Sequence, residues 1–122
     1  MLKHDNIHLQ LLKLLAENPH QSQRELSRSM GVALGSVNYC LSSLIDKGYV
    51  KLKNFKRADN RKAYAYMLTP AGLDEKLHLT YRFLKRRIGE YAEIKAQIKE
   101  LTTDLADLAP ALLEKLDRKD LL

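Results

Sequence analysis

The chain has 122 residues, enough for one domain with a real core and an appended helix but not for two large domains. Its 45% hydrophobic content argues against disorder, and its single cysteine, Cys40, excludes an intrachain disulfide framework and fits a reducing compartment. The formal charge of +6 is uneven: residues 1–89 hold 16 Lys/Arg against 7 Asp/Glu, and residues 90–122 hold 5 against 8, so the body suits a polyanion and the tail another task.

In chain order, Ile7, Leu11, Leu14 and Leu15 fall on one face of a first helix, which Asn18-Pro19 ends because the residue before proline disfavours the α region. This N-terminal stretch is too short and too polar to span a bilayer and lacks a signal-peptide pattern, so a cytoplasmic location without membrane contact is expected. Ser22 and Glu25 have capping-box spacing, which predicts a second helix from Ser22 with Glu25 reaching back to the Ser22 amide. Leu26 and Met30 form its inner edge, and Gly31 supplies a left-handed stop. A third helix is expected from Ala33 to Lys47, with Val37, Cys40, Leu41 and Leu44 inward. Its other side carries Gly35, Ser36, Tyr39, Ser42 and Ser43, with Asn38 at the flank. Three short helices with a glycine turn between the second and third make a helix-turn-helix pattern.

After Gly48 the period becomes two. Val50 and Leu52 alternate with Lys51 and Lys53, and Tyr64, Tyr66 and Leu68 share a face, so a hairpin is expected whose Tyr64, Tyr66 and Leu68 anchor it on the core. Thr69 then acts as an N-cap with Pro70 in the first helical position. From there an apolar seam recurs at steps of three and four. Its central members are Leu84, Ile88, Tyr91, Ile94, Ile98 and Leu101, with Leu105 and Leu108 beyond, and one extra three-step lies at Tyr91–Ile94 beside Gly89, a site for a bend. Pro110 should break the helix. A long helix with such a stripe is expected to pair with a second copy of the chain, since monomers rarely leave large apolar patches open.

The third helix is of a size to enter a major groove. Asn38 can bond an adenine edge, Ser36 and Ser42 a base or phosphate, and Tyr39 a phosphate. Ser22 and Gln23 at the start of the second helix, with Ala33 and Gly35 at the start of the third, complete the expected contact surface. The hairpin tip adds Lys56, Arg57, Arg61 and Lys62, with Asp59 two residues from either arginine and suited to position one of them.

These residues carry a resemblance. A helix, a capped helix, a glycine turn and a third helix ending Leu44-Ile45-Asp46-Lys47-Gly48-Tyr49-Val50 come first. A basic wing with Asp59-Asn60-Arg61 follows, then Leu68-Thr69-Pro70-Ala71-Gly72. Together they resemble the MarR family of winged-helix transcriptional regulators over residues 7–90. The resemblance implies a mainly α fold with a β-hairpin wing. Residues 1–69 would be the winged helix-turn-helix and 70–122 a helical dimerisation segment. It also implies a homodimer on a palindromic double-stranded operator, with Arg61 entering the minor groove and Asp59 as its partner. The spacing from Arg61 to Leu68-Thr69 is one residue longer than the family's usual pattern. The chain opens almost directly on the first helix, where typical members carry another, so dimerisation is expected to fall on the C-terminal helix. The short format is similar to the MarR-type regulators associated with exopolysaccharide gene clusters, which implies control of polysaccharide-related genes. No effector is named by any motif.

Other chemistry is thin. His4 and His8 are one turn apart but have no recognisable third ligand, so neither metal nor cofactor is expected. Cys40 is expected to be a buried, inert thiol. No phosphate loop or nucleophile motif argues for an enzyme. The rival to a DNA-binding regulator is a winged helix that binds protein or RNA with a partner chain.

Overall fold

The computed structural model describes residues 3–56 and 62–116. The elements are α1 (Lys3–Glu17), α2 (Gln23–Met30), α3 (Leu34–Asp46), β1 (Val50–Lys56), β2 (Lys62–Leu68), α4 (Pro70–Leu108) and α5 (Pro110–Leu113). They fall into two compact units, Met1–Arg82 and Phe83–Leu122.

In the first unit α1 packs against α2, α3 and β2. Because it is covered from several sides, more of it is buried than a single helical stripe would require. Leu9 and Leu12 join Ile7, Leu11 and Leu15 in the core, whereas Leu14 is only half-buried. Opposite them lie Leu26 of α2 and Val37, Cys40, Leu41 and Leu44 of α3, all at or below 1% exposure. Each fully buried Leu or Val contributes roughly 1.5–3 kcal/mol relative to exposure.

Local chemistry places the helix ends. The Glu25 amide donates to Ser22 Oγ at 3.1 Å, as an N-cap requires. The second half of the box differs from expectation: Glu25 Oε1 accepts from the Ser22 hydroxyl at 3.2 Å. The carboxylate thus meets the cap's side chain in place of its backbone. Gly31 closes α2 at φ 66°, its N–H on Ser27 O at 2.9 Å, and the Ser27 hydroxyl returns to Val32 O at 2.5 Å. These bonds set the short turn into α3, whose N-cap Ala33 has extended backbone and no side-chain cap bond.

β1 and β2 form an antiparallel pair with Val50 opposite Leu68, Leu52 opposite Tyr66 and Asn54 opposite Tyr64. The Tyr66 N–H donates to Pro19 O at 3.0 Å, tying the outer edge of β2 to the α1–α2 turn. The expected anchor is corrected here. Val50 is buried and Tyr66 and Leu68 half-buried at the base of the hairpin, but Tyr64 is 52% exposed, while Ala65, on the alternate face, is 3% exposed. The strand leaves the helices before Tyr64, and the small Ala65 fits where α1 approaches β2.

α4 begins as expected. Thr69 Oγ accepts from the Gly72 amide at 3.0 Å and donates to Gly48 O at 2.6 Å, and the Thr69 N–H donates to Tyr49 O at 3.0 Å. Gly72 is buried against that Tyr49 carbonyl, and a Cβ there would fall inside the oxygen's contact radius. The Tyr49 phenol hydrogen-bonds Glu75, and that bond, then the carboxylate's charge, holds it above its ordinary pKa. One turn on, Leu79 is 2% exposed and is α4's apolar anchor in this unit.

In the second unit α4 runs unbroken through Gly89 to Leu108. Pro110 interrupts it as expected: Ala109 leaves the helical region at φ −155°, ψ 68° and starts the four-residue α5. Exposed pairs join Arg86 and Arg87 to Glu90 at 3.1 and 3.2 Å. Among the seam residues, Leu84, Ile88, Tyr91, Ile94, Ile98 and Leu101 are 51–66% exposed in the single chain. Leu108 is more exposed still and Leu105 is half-buried.

Candidate nucleic-acid interface

Burial of Val37, Cys40, Leu41 and Leu44 turns the opposite side of α3 outward. Gly35, Asn38, Tyr39 and Ser42 are exposed and Ser36 is half-buried, with Ala33 exposed at the cap. The surface carries hydrogen-bonding groups and a 63%-exposed tyrosine without a cation until Lys47, so groove contact by α3 would rest on amide and hydroxyl groups.

Two committed residues on different helices meet. Asn38 Nδ2 donates to Gln23 Oε1 at 3.1 Å, and Gln23 Nε2 donates to Tyr66 Oη at 3.3 Å. Tyr66 was not among the residues singled out, since alternation alone assigned it to the core; its half-burial leaves the phenol oxygen at the surface. Ser22 also lies at this end of α2, but its hydroxyl is occupied by the cap and by Glu25.

Arg24 and Arg28 were missed as well. They stand one turn apart on α2, both exposed, and with Ser27 and Leu34 they line a shallow concavity of about 380 Å³. Neither makes an ion pair among the described residues. Their i, i+4 spacing was the available signal. A second shallow concavity of about 360 Å³ lies along the C-terminal half of α3, between Tyr39, Ser42, Ser43, Asp46 and Lys47.

Lys51 and Lys53 are exposed on β1. Arg57, Asp59 and Arg61, and the side chains of Lys56 and Lys62, lie outside the described residues, so the expected Asp59–Arg61 pairing does too. The Cys40 thiol is fully enclosed, and burial pushes it above its ordinary pKa, which disfavours the reactive thiolate. No helix among the described residues is long and apolar enough to cross a membrane.

Residues 4–51 match the family model described as winged helix-turn-helix DNA-binding. The chain is similar in structure to the PcaV transcriptional regulator of Streptomyces coelicolor, solved with its natural ligand. That likeness has a TM-score of 0.58 at 21% identity and covers 84% of this chain and 74% of that one. The transcriptional regulator BldR of Sulfolobus solfataricus gives 0.56 at 19% identity over the same shares. Staphylococcus aureus MarR, solved with salicylate and kanamycin, gives 0.52 at 17% identity, covering 89% and 73%. The fold is a winged helix. In sequence, the chain is 26% identical over 110 residues to an uncharacterised protein of Methanocaldococcus jannaschii, covering 90% of this chain and 36% of that protein. The chain therefore spans about a third of that relative's length. Within the winged helix, α2 and α3 are the helix-turn-helix and β1–β2 the wing.

Proposed function

We propose that this chain is a sequence-specific, double-stranded DNA-binding transcriptional regulator of the MarR type that acts as a homodimer. The observation that carries the reading is the two-sidedness of α3. One side is sealed into the core, and the other offers Ser36, Asn38, Tyr39 and Ser42, beside the start of α2 and an exposed lysine-bearing strand. Residues 1–69 hold the DNA contacts and residues 70–122 the dimer contacts. In the first part α3 reads base edges in the major groove, Ser22, Gln23, Ala33 and Gly35 lie at its approach, and Arg57, Arg61, Lys56 and Lys62 grip phosphates and the minor groove with Asp59 orienting Arg61. In the second, the apolar seam of α4 pairs with the seam of a second copy, which supports a palindromic site with half-sites about 34 Å apart or a multiple of that. Control of polysaccharide-related genes is the part of this reading carried by the resemblance of the short format alone.

The test is binding of the full chain to duplexes recovered from a random library, at several salt concentrations. The reading expects a palindromic consensus, affinity that falls steeply with salt, strong weakening by Arg61→Ala, and altered sequence preference with Asn38→Ala. A flat salt response, or no preference over random duplex, refutes it. Full activity without Asn38 and Arg61 would favour a winged helix that binds protein or RNA.

A further inference from the structure

The bonds from Tyr66 through Gln23 to Asn38 join all three parts of the winged helix: wing, first helix of the motif and reading helix. Their polarity has a chemical consequence. Asn38 spends one N–H of its amide on Gln23 Oε1. It retains one N–H and its Oδ1, a donor beside an acceptor, and an adenine edge in the major groove presents the matching acceptor N7 and donor N6–H₂. Guanine presents two acceptors, N7 and O6, and would set O6 against Oδ1. Reversing the chain of bonds would engage Oδ1 instead and turn both Asn38 N–H groups outward, the pattern guanine prefers. The direction in which Gln23 is held therefore selects between the two purines.

Tyr66 holds that direction. Its Oη accepts from Gln23 Nε2, so the nitrogen end of the Gln23 amide faces the wing and the oxygen end faces Asn38. The Tyr66 N–H is in turn bonded to Pro19 O, which fixes the tyrosine's backbone against the α1–α2 turn. We infer that Tyr66 and Gln23 are positioning residues that set Asn38 to read adenine and reject guanine at one position of each half-site. This rests on the DNA-binding reading above and deepens it.

The experiment is library selection on the full-length wild type and on Tyr66→Phe, Gln23→Glu and Asn38→Ala, with the adenine-to-guanine affinity ratio measured at each position of the recovered site. Asn38→Ala locates the position, where the wild type is expected to favour adenine by roughly five- to 150-fold. Tyr66→Phe frees the Gln23 amide to turn over, and the ratio there should fall by roughly two- to tenfold, with other positions unchanged. Gln23→Glu offers only acceptors to Asn38 and to the Tyr66 hydroxyl. It should keep the adenine preference while lowering affinity for every duplex through repulsion of phosphate. An unchanged ratio in Tyr66→Phe, an equal loss at all positions, or loss of the adenine preference in Gln23→Glu overturns the inference and leaves the DNA-binding reading standing. Absence of any selected duplex for the wild type overturns both.

Discussion

Gly72→Ala tests how α4 is joined to the first unit. The added methyl would meet the Tyr49 carbonyl oxygen inside contact distance, and that oxygen is not free to retreat because it accepts from the Thr69 amide at 3.0 Å. Relief requires α4's first turn to lift away, which strains three bonds together: Thr69 N–H to Tyr49 O, Thr69 Oγ to Gly48 O and the Gly72 amide to Thr69 Oγ. At about 1 kcal/mol net for each bond, the loss is about 3 kcal/mol, in the range of other overpacking substitutions. Alanine's better helix propensity offsets about 1 kcal/mol of it. The net is a destabilisation of about 2 kcal/mol, or a fall in Tm of roughly 8–16 °C for a unit of this size. Thermal unfolding followed by circular dichroism measures it. Gly89→Ala is the control: nothing lies within 4 Å of its built Cβ, so the same chemical change should stabilise by up to about 1 kcal/mol. A Gly72→Ala Tm equal to or above wild type would show that the α4 junction yields easily and would refute the reasoning.

Ile94→Asp, or Ile98→Asp if the first aggregates, should convert a dimer to a monomer in light scattering, because each seam isoleucine still has about half its surface to bury and full burial is worth roughly 1.5–3 kcal/mol per side chain; a variant that stays dimeric places the interface elsewhere. Arg24→Ala and Arg28→Ala should each reduce the slope of log affinity against log salt by about 0.9 if both meet phosphates, and leave base preference unchanged. The Cys40 thiol should resist alkylation at pH 8 until the protein is unfolded with denaturant. The sign follows from burial: the folded thiol's pKa is raised, so its contribution to stability is full below the unfolded thiol's pKa and is lost as pH rises through the folded value.

Much of the architecture is legible in local sequence because the causes are local. Ser22 caps the helix it precedes, Gly31 takes the left-handed turn no side chain favours, Thr69-Pro70 opens α4 and Pro110 ends it. The seam of α4 was also legible, since its period states which residues share a face. Which partner covers that face is not a local property, and the seam residues are open in the single chain while Leu79, outside the seam, is the buried anchor. Tyr64 and Ala65 show the same limit. Alternation names two faces of a strand but not how far along it the helices reach, and that reach buries the alanine and leaves the tyrosine open.

The contact surface divides in the same way. Residue type and helical phase were enough to place Asn38, Tyr39 and Ser42 outward on α3, because the apolar stripe opposite them admits no other orientation. That Asn38 is turned by Gln23, and Gln23 by a tyrosine 43 residues further along, was decided by the tertiary structure alone. A hydrogen bond between side chains needs atoms within about 3 Å, and only the packing of the wing beside the two helices brings those three residues that close.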